Sequence, residues 1–300
     1  MKDLGPAKSF LGMECIIVKE RGEISLRQSG FIRDILKQYR LDDCNPCATP
    51  MKERLQLPRL DETLNDCKSI PYREIVGKLL YVSIATRLDI AYAVNYISRF
   101  VNGYGHPHWK TVQRILRYLK GTIDYGITYS KHAPSPMVLH GYGDADWGGD
   151  HIDRKSISGF LFFLAGGPIS WRVRKQVTVA LSSTEAEYLA ATDSAKQAIH
   201  HRRFLHQIGK TQTTPTVIAA DNKGAISLSE NFGFHERTKH FGIRHHFIRE
   251  KVDSGEITLK HYPTQDMVAD IMTKALPKSK FEKLRREAGV NLIVGPRSTS

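Results

Sequence analysis

Cysteine is scarce, with 4 among 300 residues. That is too few for a disulfide-stapled scaffold, so a reducing, intracellular setting is expected. Long apolar runs are also missing. The longest, FLFFLA at 160–165, falls far short of the roughly 20 residues that span a bilayer, so no membrane partner is expected. The opening MKDLGPAKSF has no basic stretch followed by an apolar one, which speaks against a signal peptide. No internal repeat or low-complexity tract stands out. Gly166-Gly167-Pro168 reads as a turn rather than a phosphate loop, and no small-molecule cofactor is expected. Cys44 and Cys47 have CxxC spacing, but Cys67 lacks a partner Cys or His, so no zinc site is expected. Negative charge is the minority sign. The 31 acidic residues face 44 basic ones, a net charge of +13, which points to a polyanionic partner, with nucleic acid first. The composition is otherwise that of a folded chain, 41% hydrophobic and 25% charged.

What is present is ordered along the chain. Two alternating runs flank Arg21-Gly22 and predict a hairpin over residues 10–28. Helical spacing follows over 29–40, 72–102 and 107–121, the last with Lys110, Arg114, Arg117 and Lys120 outside its apolar stripe. KHAPSPM, 131–137, reads as a linker. After it come strands at 138–144, 156–167 and 169–182, a helix at 183–208, and a strand at 216–221. A helical stretch at 238–254, a strand at 257–262 and a helix from near Gln265 complete the pattern. Such an order predicts a mixed sheet with covering helices.

Four carboxylates stand where those elements end or begin: Asp144, Glu187, Asp221 and Asp270. Each has a local explanation. Glu187 follows Thr184 at capping-box spacing, and Asp221 could cap the next helix. Asp270 precedes Lys274 by one helical turn, and Asp144 has Asp146, Asp150 and Asp153 nearby. Together they suggest more. Carboxylates converging in one cleft repel each other, and a divalent cation removes that penalty. Hard oxygen donors suit Mg²⁺ or Mn²⁺, and a two-ion site hydrolyses phosphodiesters.

The strings GYGDADWGGD, SISGFLFFLAGGPISW, VALSSTEAEYLAA, DNKGAI, HERTKHFGIRHHFIRE and VADIMTKAL resemble the ribonuclease H domain of copia-type retrotransposon Pol polyproteins. MKDLGPAKSFLGME, VGKLLYVSIATRLDIAYAV and HWKTVQRILRYLKGT resemble the end of the reverse transcriptase that precedes it. The resemblance covers roughly residues 1–290. It implies an α/β fold with an α+β N-terminal part: a ribonuclease H-like mixed five-stranded sheet with flanking helices over 138–276. Before it would lie a mainly helical, thumb/connection-like region over 1–130, joined by the linker, and after it a basic extension over 277–300 whose end is expected to be disordered. It further implies that Asp144, Glu187, Asp221 and Asp270 hold two Mg²⁺ ions, with Mn²⁺ as a substitute. The implied reaction is hydrolysis of the RNA strand of RNA–DNA hybrids, leaving a 3′-hydroxyl and a 5′-phosphate. The rest of the polyprotein would be a further partner.

Asp144 is preferred to Asp146 because it stands where the strand should end; Asp146 remains its rival. His261 could act like the loop histidine of cellular ribonucleases H, although it falls in a strand pattern. Arg237, Lys239, His240, Arg244 and Arg249 form a basic string suited to the phosphates of a hybrid. Two departures from the family pattern, Leu88 in TRLDI and Ile199-His200-His201 in the long helix, bear on packing. The Tyr-x-Asp-Asp string of the family's polymerases does not occur. The family pattern places it upstream of MKDLG, so a truncated reading frame or a polyprotein fragment is expected, without polymerase activity. Primer extension on an RNA template by the purified chain would contradict this. The alternatives are a catalytically silent nucleic-acid-binding remnant and an integrase-like transferase, whose usual acidic order ends in Glu.

Overall fold

The computed structural model describes residues 5–60, 70–230 and 242–294. The chain divides into two compact units, Met1–Ala133 with Ala275–Ser300, and Pro134–Lys274. Among the described residues no helix is long and apolar enough to cross a membrane.

The first unit is an antiparallel sheet with helices. Its strands are β1 (Ser9–Phe10), β2 (Met13–Val18), β3 (Glu23–Arg27), β4 (Tyr125–Ser130) and β10 (Val290–Leu292), in the order β1-β2-β3-β4-β10. The hairpin predicted around Arg21-Gly22 is β2–β3, with Ile17 opposite Ile24. Its helices are α1 (Ser29–Gln38), α2 (Tyr72–Ala85), α3 (Ala91–Ser98), α4 (His106–Gly121) and α9 (Lys278–Glu287). The apolar stripe of α4 is buried as its spacing requires, through Val112, Ile115, Leu116 and Leu119.

Three features of this unit differ from the sequence expectation. The helical pattern of 72–102 breaks at Thr86. There Arg87 turns inward to a buried pair with Asp89, and a 3₁₀ turn over Leu88–Ile90 separates α2 from α3. Leu88 itself fills the core. The region is less purely helical than expected, because β1, β4 and β10 enlarge the hairpin to five strands. The segment after 277 is not a mere extension. Phe281 and Leu284 share the inner face of α9, and β10 pairs with β4 through Val290 opposite Ile127. Its many basic residues obscured those few apolar positions.

The second unit carries β5 (His140–Asp146), β6 (Ile157–Leu164), β7 (Gly167–Lys175), β8 (Thr216–Ala220) and β9 (Ile257–His261), ordered β7-β6-β5-β8-β9. The first three form an antiparallel meander, while β5, β8 and β9 run parallel. It is the mixed five-stranded sheet expected of a ribonuclease H-like domain. The helices are α5 (Ser183–Gln207), α6 (Lys223–Glu230), α7 (Gly242–Asp253) and α8 (Asp270–Thr273). Phe160 and Phe162 of β6 meet Tyr188, Ala191, Ala195, Ala198 and Ile199 of α5 in one core. The small residues along α5 let the helix lie close to the sheet. The helix expected from Gln265 is reduced to a 3₁₀ turn at Thr264–Asp266 and the four-residue α8.

Candidate metal centre

The sheet register aligns two of the carboxylates. Tyr142 of β5 lies opposite Ala219 of the parallel strand β8. Asp144 and Asp221 each follow two residues later, so both leave the same edge of the sheet side by side. Glu187 comes from the first turns of α5. The N-terminus of α5 is capped by Ser182, whose Oγ accepts from the Glu185 backbone N–H, while Glu185 Oε2 accepts from Leu181 N–H at 2.7 Å. The capping role that the sequence offered to Glu187 thus belongs to Glu185. The Asp221 cap is taken by Asn222, whose Oδ1 accepts from Ala225 N–H. Freed of local duties, Asp144, Glu187 and Asp221 each place a carboxylate oxygen within 4.8 Å of the other two.

Two glycines make this convergence possible. Gly143, beside Asp144, leaves room for Ser194 of α5, so Glu187 can approach β5. Gly159, the register partner of Asp144, leaves room for Met272 of α8; a Cβ there would collide with it. This close approach brings Thr273 to Asp144, whose Oδ2 accepts from the Thr273 hydroxyl. Trp147 Nε1 donates to Ala180 O at 2.9 Å, tying the exit of β5 to the loop before α5.

Asp270, the fourth predicted residue, opens α8 and is fully buried, yet it lies outside the group of three. Its carboxylate is held by Lys274 Nζ at 2.6 Å, and that ammonium is 4.0 Å from Asp144 Oδ2. The i,i+4 spacing of this pair was visible in the sequence as a surface feature. Its burial was not, so Lys274 and Thr273 escaped sequence reasoning. Asp146 is half-buried and not in the group of three. His261 is exposed at the end of β9, opposite Ala220. Tyr142, half-buried, packs edge-on against Phe163 and Tyr262.

The electrostatics follow from crowding. Burial pushes the Glu187 carboxyl up to about 9, and the charges of Asp144 and Asp221 add to the rise. Asp144 is pushed up to about 7, mainly by burial; Lys274 opposes the rise, and Asp270 and Asp221 reinforce it. Lys274 is raised in turn, because Asp144 and Asp270 outweigh its own burial. Such a set of hard oxygen donors, costly to ionise together, fits a divalent cation.

A consequence can be measured without metal. Glu187 and Asp144 keep protons in the folded state up to about 9 and about 7, against ordinary values of 4.5 and 3.8. Their stabilising contribution is complete below the ordinary values and is lost as pH rises through the folded ones. Calorimetry in EDTA between about pH 5 and about pH 9 should show a falling thermal midpoint, and added divalent cation should flatten the fall. A midpoint that climbs with pH in EDTA contradicts the crowding.

The basic string is only partly described. Arg237, Lys239 and His240 lie outside the described residues, as does the Arg244 side chain. Arg249 Nε donates to Leu228 O at 3.2 Å, joining α7 to α6. On α4, Arg114 donates to Thr49 Oγ1 and Arg117 to Asn45 O, so these two hold the preceding loop. Cys44 and Cys47 are free thiols, and Cys67 lies outside the described residues.

No protein-family model matches the chain. It is 40% identical over 296 residues to the retrovirus-related Pol polyprotein from transposon TNT 1-94 of Nicotiana tabacum, covering 97% of this chain and 22% of that protein. The retrovirus-related Pol polyprotein from transposon RE1 of Arabidopsis thaliana is 38% identical over 294 residues, 98% of this chain and 20% of that protein. The chain therefore spans about a fifth of the length of the curated relatives it matches. Among solved structures, LC11-RNase H1 in complex with an RNA/DNA hybrid overlaps 45% of this chain and 93% of its own, at 12% identity and a TM-score of 0.33.

Proposed function

The chain belongs to the copia-type, retrovirus-related Pol polyproteins, and on that premise we propose that its second unit is a metal-dependent endonuclease cutting the RNA strand of RNA–DNA hybrids. The observation that carries the reading is the group of three carboxylates, Asp144, Glu187 and Asp221, gathered within 4.8 Å. In a family whose name marks a retrovirus-like Pol, such a group suits phosphodiester chemistry better than any structural role.

Asp144, Glu187 and Asp221 would hold the metal, with Asp270 adjoining them. When bound, two Mg²⁺ ions, or Mn²⁺ in their place, supply a nucleophilic water at neutral pH and neutralise charge on the scissile phosphate. The residues themselves set the stage. Thr273 fixes one oxygen of Asp144, leaving the other for a ligand. Burial holds Asp144 and Glu187 in place. Lys274 balances the cluster's charge through its ion pair with Asp270. Hydrolysis would break the P–O3′ bond, with water oxygen on the new 5′-phosphate and a proton on the departing 3′-oxygen. The remaining polyprotein is the further partner that family membership suggests.

Recognition would run through hybrid shape, 2′-hydroxyls and phosphates, with little base reading. Anisotropy with two labelled hybrids of unrelated sequence should give near-equal affinities. With three or more phosphates engaged at roughly −0.9 each, log affinity should fall with log salt at a slope of about −3 or steeper. Adding Mg²⁺ should then cut the RNA strand of both. Affinity confined to one sequence, or insensitive to salt, defeats this mode of recognition.

A further inference from the structure

Among its described residues the first unit holds two buried arginines, and the fold treats them differently. Arg87 is fully buried and amply paired: Nε and Nη2 meet both oxygens of Asp89 at 3.0 and 2.8 Å, and Nη1 donates to Thr122 O at 2.8 Å. Arg285, on α9, is 8% exposed. It follows Phe281 by one helical turn into the inner face, where Phe281 meets Tyr118 edge-on. Its guanidinium lies 4.7 Å from the centroid of the Tyr125 ring. Its Nε is buried without a hydrogen-bond partner, and no ion pair holds the group among the described residues. An N–H left unmet away from water is costly, and the terminal nitrogens of the same fork are not among the buried, unpartnered atoms.

Arg285 does not face solid protein. It lines a cavity of about 420 Å³, together with Cys47, Tyr118, Thr122, Tyr125 and Glu282. The wall is preformed: Cys47 N–H donates to Arg117 O at 3.2 Å, and Arg117 Nε donates to Asn45 O at 2.6 Å. The volume falls within the range of small-ligand sites, roughly 300–1,000 Å³.

We propose that this cavity binds a phosphate group through the Arg285 guanidinium. The planar fork of arginine matches two phosphate oxygens at once. The Tyr125 ring backs it at 4.7 Å. Glu282 also lines the cavity, a carboxylate able to accept from a hydroxyl on the same molecule. The phosphate could belong to a free mononucleotide or to a nucleic-acid backbone, and the chemistry at Arg285 is the same for both. This site is separate from the carboxylates and does not depend on their function.

The test uses the full chain in phosphate-free buffer with EDTA, so that no metal bridges a phosphate to the carboxylates. Inorganic phosphate, AMP and a short single-stranded oligonucleotide are the probes, read by thermal midpoint and calorimetric affinity. AMP should raise the midpoint of the wild type. Arg285→Met should abolish that rise, and Arg285→Lys, which keeps the charge but not the fork, should weaken binding at least tenfold. An Arg285-dependent rise with the oligonucleotide and not with AMP also supports the site and assigns the phosphate to a backbone. No rise with any probe in the wild type overturns the proposal, as does an equal rise in both variants.

Discussion

Asp144→Asn and Glu187→Gln should each lower Mg²⁺-supported cleavage of an RNA–DNA hybrid by about 10³-fold or more, while leaving the protein folded. The magnitude comes from the charge stabilisation that a metal clamp gives a phosphoryl transition state; about 4 kcal/mol corresponds to about 10³ in rate. The two residues lie among like charges that the folded protein barely tolerates, and this gives the prediction a second, opposite arm. Each substitution removes a charge that burial and its neighbours already oppose. In EDTA at neutral or alkaline pH, the variants should therefore melt no lower than the wild type. Loss of activity with loss of folding would point to a structural role instead. The assay must report initial rates on the RNA strand, with circular dichroism melts on the same samples.

Arg87→Met should cost the first unit about 3–5 kcal/mol, because it leaves the Asp89 carboxylate buried without its cation. Both side chains of this pair are inaccessible to solvent. The loss spreads further. Arg87 also donates to Thr122 through both terminal nitrogens, and Tyr118 donates to Asp89 Oδ2 at 2.5 Å. One change thus strands groups on the turn after α2, on α4 and at the start of the run to β4. Replacing both partners with apolar residues should recover much of the loss, since the remaining penalty is then an ordinary repacking one. Urea midpoints followed by circular dichroism test this. A shift below about 1 kcal/mol for Arg87→Met would show that the network is not what joins these elements.

The carboxylates were legible in the sequence because a strand end or helix start fixes where a side chain emerges. Asp144 and Asp221 follow equivalent positions of two parallel strands, which is a matter of register once the strands are found. The choice between Asp144 and Asp146 was less legible. Two residues apart in a strand, they share one face, and only depth distinguishes them. That depth depends on Gly159 and on α8 arriving from far along the chain. Distance in sequence hid other features too. The pairing of β10 with β4 joins segments more than 160 residues apart through only three register positions. The break at Thr86 hinges on an arginine that turns inward, which helical spacing alone does not announce. Lys274 illustrates the same limit. Its spacing from Asp270 reads as an exposed pair, and only the burial of α8 turns it into the counter-charge of the cluster.

The central claim is tested most directly by strand-resolved product analysis. A hybrid labelled on both strands is incubated with the full wild-type chain in Mg²⁺ or in EDTA, beside matched RNA–RNA and DNA–DNA duplexes. The expected result is cutting of the RNA strand of the hybrid alone, in Mg²⁺ alone, leaving 5′-phosphate ends. A folded protein that leaves the hybrid intact in Mg²⁺, or one that cuts it equally in EDTA, contradicts the assignment of Asp144, Glu187 and Asp221 as a metal-dependent ribonuclease centre.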